Sequence, residues 1–146
     1  MLRFLIYISI FHVFVFGQAT FTPSKDEQTK VYCQVITEYI KAVTKTDKLH
    51  FDTLFLGNHP DFPKIKLPDI IQSKTIILLT EDESYKKKDN KSYVLINIAE
   101  QKFTKDQAEF ILVTFHKGNR PQHNCYIDLK YNSTKKNYEL DKKIRF

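Results

Sequence analysis

Residues 108–131 read AEFILVTFHKGNRPQHNCYIDLKY, and the fold follows from how this stretch pairs with itself. Glu109 to Phe115 is an apolar run rich in β-branched and aromatic residues. Lys117 to Gln122 carries glycine, asparagine and proline, and Asn124 to Tyr131 alternates apolar with polar. That is the pattern of two strands and a turn. With His116 set opposite His123, Thr114 faces Cys125, Leu112 faces Ile127 and Phe110 faces Leu129, so one face is apolar throughout. The same reasoning sets Tyr131 opposite Tyr138 and Leu129 opposite Leu140, with Asn132 to Asn137 as the second turn. The other face, with Ile111, Val113, Phe115 and Tyr126, is too apolar to be left simply wet.

A helix is expected to cover the first face. Ser24-Lys25-Asp26-Glu27 is a capping box. Val31, Tyr32, Val35, Ile36, Tyr39, Ile40 and Val43 then fall on one arc at about 100° per residue. Acids begin this helix and Lys41 and Lys45 lie near its end, which suits the helix dipole. Thr53 to Leu56 reads as a short strand closed by Gly57. Pro60, Pro63 and Pro68 make Asn58 to Asp69 an irregular loop that packs its own Phe62, Ile65 and Leu67 against the body. Thr75 to Leu79 is apolar on both sides and is expected as a buried central strand. A short second helix is expected from Thr80 to Lys88, a strand from Tyr93 to Ile98, and a polar connection from Glu100 to Gln107. The fold class is therefore α+β: one long N-terminal amphipathic helix on a curved, mostly antiparallel sheet of five or six strands.

The first residues stand apart. Met1-Leu2-Arg3 gives a basic start, and Phe4 to Phe16 is apolar except for Ser9 and His12. That run is shorter than the ~20 residues of a spanning helix, and Gly17 and Ala19 supply the small residues a signal peptidase requires. Residues 1–17, with cleavage as late as 19, read as a signal peptide, the alternative being an uncleaved anchor. Residues 18–146 read as one globular domain, exported to the periplasm or outside the cell, with no span left after cleavage.

Between Gln18 and Phe115, fourteen lysines balance fourteen acids; from His116 onward eight Lys and Arg face three acids. The basic excess thus lies in the C-terminal hairpins, where Lys117, Arg120, Lys130, Lys135 and Lys136 form a candidate patch for an acidic polymer. Nucleic acid is not the expected partner. Cys33, at the rim of the helical arc, and Cys125, on the covered face, are expected to form a disulfide, which export permits. Closing so long a loop would stabilise by about 4–5 kcal/mol. The alternative is two separate buried thiols.

Three glycines, one of them Gly17, cannot build a phosphate-cradling loop, and there is no Gly-x-Ser-x-Gly, His-Glu-x-x-His or Cys-x-x-Cys. No cofactor and no metal are expected. His116 and His123 at the turn are the catalytic candidates, with Asp61 or Asp128 orienting them and His59 as a further ligand. Asn90-Lys91-Ser92 and Asn132-Ser133-Thr134 match the glycosylation acceptor pattern.

A long helix wrapped by a curved antiparallel sheet resembles the cystatin-like and nuclear-transport-factor-2-like folds. Pro60-Asp61-Phe62-Pro63 and Asn124-Cys125-Tyr126-Ile127-Asp128 with Tyr131-Asn132-Ser133 are similar to strings in small, uncharacterised exported bacterial proteins. Such folds host enzymes, inhibitors and binding modules alike, so the resemblance implies no one activity. The leading expectation is a non-catalytic module that meets a ligand, a protein partner or a second copy through Ile111, Val113, Phe115 and Tyr126. A small hydrolase or lyase using His116 and His123 is the alternative, and an acidic-polymer binder the next.

Overall fold

The computed structural model describes residues 21–46, 50–57, 65–79, 93–116 and 121–146. Helix α1 (Lys25–Thr46) starts where its capping box predicts. Ser24 N and Oγ both donate to Glu27 Oε2, at 2.9 and 2.7 Å, and Glu27 N donates back to Ser24 Oγ at 3.3 Å. A cap of this kind contributes about 1 kcal/mol. The seven residues of the apolar arc are all buried, and each such side chain stabilises by about 1.5–3 kcal/mol. Packing therefore holds α1 in place far more than its cap does.

Seven strands follow: β1 (Thr53–Leu56), β2 (Ile70–Ile71), β3 (Lys74–Leu78), β4 (Tyr93–Phe103), β5 (Gln107–His116), β6 (Pro121–Asn132) and β7 (Asn137–Leu140). They form one curled, mixed sheet in the order β2-β3-β1-β4-β5-β6-β7, one strand more than the upper expectation. β1 runs parallel to both β3 and β4, and the other four pairings are antiparallel. Leu54, Phe55 and Leu56 are all buried, as befits a strand covered on both faces. The central role expected of Thr75 to Leu79 thus belongs to β1. β3 lies next to the two-residue edge strand β2, and its Leu78 is 41% exposed. The expected second helix, Thr80 to Lys88, lies outside the described residues.

The β6–β7 register is as expected, with Tyr131 opposite Tyr138 and Leu129 opposite Leu140. The β5–β6 register differs. Leu112 faces Cys125, Phe110 faces Ile127, Ala108 faces Leu129, and Thr114 rather than His116 faces His123. The offset is two residues, an even number, so every side chain stays on its expected face. β4 also continues through the segment expected as a polar connection. A bulge between Ile98 and Glu100 leaves Ala99 without a partner, so Ile98 faces Leu112 while Gln101 faces Phe110 and Phe103 faces Ala108. The extra residue switches the alternation and brings Gln101 and Phe103 onto the helix side. There the Tyr32 hydroxyl donates to Gln101 Oε1, and Phe110 stacks edge-on against both Phe103 and Tyr32.

One face of the sheet builds the main core with α1; Ile65 is buried in it and Leu67 packs against it, as expected of their loop, while Phe62 lies outside the described residues. Phe55, Leu79 and Leu95 make a smaller cluster on the other face, joined by Ile77, Tyr93 and Phe115. Beyond β7 the chain keeps to the edge of β6. Asp141 N donates to Asp128 O at 2.8 Å, and Tyr126 and Arg145 exchange backbone bonds of 2.9 and 3.3 Å. The tail thereby pairs an edge that would otherwise be open to association.

Candidate functional site

Strand alternation sends Ile111, Val113 and Phe115 to the face away from α1, and Tyr126 stands directly across from Ile111. All four are half-buried. Phe115 leans into the small cluster with Phe55 and Leu95, and the Arg145 guanidinium lies over the Tyr126 ring, 5.3 Å from its centroid. Between these two covered ends, Ile111 and Tyr126 floor a concavity of about 210 Å³ walled by Lys102, Glu109, Asp128 and Arg145. It lies just past the Ala99 bulge, with Glu100 to Lys102 among its lining. Glu109 and Asp128 face each other across β5 and β6, an arrangement that repels. Lys102, opposite Glu109, and Arg145, 3.3 Å from Asp128, offset that repulsion from either side. The walls therefore present both signs of charge around an apolar floor.

The histidine pair is not assembled as expected. His116 stands opposite Val94 and His123 opposite Thr114, because the β5–β6 register runs two residues from the anticipated one. The His123 ring packs edge-on against Phe146, with centroids 5.3 Å apart, and its carbonyl accepts from Thr114 Oγ1 at 3.2 Å. His116 is described only in its backbone position. Asp128 points away from α1 toward Arg145, whereas His123 lies in the same face series as Cys125 and Ile127, so the carboxylate and this imidazole occupy opposite faces. His59, Asp61 and Asn90 lie outside the described residues.

Cys33 and Cys125 are free thiols and are not within bonding distance, so the expected disulfide is corrected. Cys33 packs against the edge of the main core while Cys125 is buried within it, so the two share one core without their sulfurs meeting. Burial pushes the Cys125 thiol up to about 12 and raises that of Cys33. Neither thiol is primed as a nucleophile.

The basic patch divides. Lys117 and Arg120 lie outside the described residues. Lys135 is held by Glu139 at 2.6 Å, Lys130 stands opposite that same glutamate, and Lys136 occupies the tight turn with φ 52°. Asn132 is likewise engaged: its side-chain oxygen accepts from Thr134 N and Lys135 N, both at 3.1 Å, and its amide donates to Glu139 at 3.0 Å. Among the described residues no group of three or more His, Cys, Asp or Glu side chains could hold a metal ion. The outer-face residues were legible by alternation alone. Their charged walls were not, because Lys102 depends on the bulge and Arg145 on the path of the tail.

Comparison with known proteins finds no matching family, no matching curated protein and no matching solved structure.

Proposed function

We propose that this chain is an exported, non-catalytic interaction module that engages a protein partner, or a second copy of itself, through the sheet face opposite α1. The observation that carries this reading is the strip Ile111, Val113 and Tyr126, half-buried between two covered ends on the face α1 leaves free. The concavity at its centre is about 210 Å³, smaller than the roughly 300–1,000 Å³ of small-molecule sites. It suits one inserted side chain from a partner better than a free cofactor. An apolar anchor inside a ring of charges is also how binding energy is commonly distributed at protein interfaces.

The test places a photo-crosslinking residue at Val113 in the secreted chain, with Lys30 on the exposed side of α1 as control position. Crosslinks at position 113 to one defined protein, or to a second copy, that disappear with Tyr126→Ala support the reading. A monomer in sedimentation whose position 113 crosslinks no more than position 30 ends it.

A further inference from the structure

We infer that the groove between the second half of α1 and the C-terminal tail binds a single-chain amphiphile with an anionic head, of the fatty-acid carboxylate class. The groove measures about 530 Å³, within the roughly 300–1,000 Å³ of small-molecule sites. Its floor is apolar: Ala42 from α1, Leu140 from the end of β7, and Ile144 and Phe146 from the tail. Leu140 is 37% exposed and Phe146 44% exposed, so two large apolar side chains that the core leaves partly uncovered meet in one trough.

The rim chooses the sign of the ligand. Lys41 and Lys45, one turn apart on α1, line the groove with Lys143 of the tail, and the single acidic side chain among them is Glu38. Glu38 is already engaged, accepting from Lys41 at 2.9 Å and from Gln34 at 3.0 Å. Among the described residues no ion pair occupies Lys45 or Lys143. An alkyl chain lying on the floor would bring a terminal carboxylate between these two ammonium groups, with the aliphatic stems of the lysines extending the apolar walls. This site is separate from the outer sheet face and does not depend on the interaction proposed there.

The experiment uses isotope-labelled protein of residues 18–146 titrated with dodecanoate below its micelle concentration, alongside octanoate, decanoate and dodecyltrimethylammonium. Expected are amide shifts at Ala42, Leu140, Ile144 and Phe146, and affinity rising about twofold to fourfold per added methylene until the floor is covered. The cationic amphiphile should bind at least tenfold more weakly. Lys45→Gln with Lys143→Gln, both on exposed side chains, should leave the spectrum of the fold intact and weaken dodecanoate at least tenfold. Equal binding of the cation, indifference to the double substitution, shifts confined to Ile111 and Tyr126, or tighter binding of an acidic amphipathic peptide would each overturn the assignment.

Discussion

Cys125 lies wholly within the core, and its thiol, pushed up to about 12 by burial, stays protonated at any physiological pH. The intact protein should therefore show the same mass with and without reductant. Alkylation of the native protein should label Cys33 alone, with Cys125 reacting only after denaturation; a two-dalton gain on reduction would contradict this. A helical wheel puts Cys33 at the rim of the apolar arc correctly. It says nothing of which end of the sheet that rim faces, and for this reason the sequence suggests a bond the structure does not make. Glu27 carries a second prediction at this scale. Its hydrogen bonds with Ser24 hold the carboxyl below the ordinary glutamate range, so the ionised form is favoured by folding. The stabilisation is complete above the pH at which an unfolded glutamate titrates and fades as pH falls through the lowered value. Acid unfolding followed by circular dichroism should show this loss in the native chain and a flatter profile for Glu27→Gln.

Among the elements, β4 shows most clearly what alternation can and cannot reveal. Its first half, Tyr93 to Ile98, is plain from the apolar pattern. The second half is polar and crosses the bulge at Ala99, which is exposed and carries no signal in its own side chain. Deleting Ala99 would remove the bulge yet leave Gln101 and Phe103 on the helix side and Lys102 outside, since the pairing before and after it is already that of a regular ladder. Phe103→Lys, which sets a charge where the ring packs against the main core, should cost about 3 kcal/mol or more, read as a lower urea midpoint; an unchanged midpoint would mean that Phe103 does not face α1. The β5–β6 hairpin shows the complementary limit. A period of two fixes which face a residue occupies but does not separate one even offset from another. Thr114, Leu112 and Cys125 were therefore placed on the correct faces with the wrong partners. The hairpin joining β2 to β3 gave no warning, because Gln72 and Ser73 take positive φ of 51° and 61° without the asparagine or glycine that usually marks such a turn.

For the molecule as a whole, α1 and the C-terminal half of the sheet were legible because long amphipathic elements leave periodic traces. The parallel placement of β1 between β3 and β4 was not, since pairing between strands distant in sequence leaves no local signature. Among the described residues no helix is long and apolar enough to cross a membrane. Export, proposed above, rests on reading residues 1–17 as a signal peptide and predicts that protein recovered outside the cytoplasm begins at or shortly after Gln18. Mass spectrometry of that material decides the matter, and an intact Met1 start in it would remove the basis for the proposal. The packing of α1 against β6 and β7 adds a constraint in time. α1 precedes in the chain the strands that cover it, so its apolar stripe lacks that cover until β6 and β7 have been made. Its long-range contacts must form late and slowly, and until β7 has left the ribosome the stripe of α1 stays an open binding surface for whatever factor escorts the nascent protein.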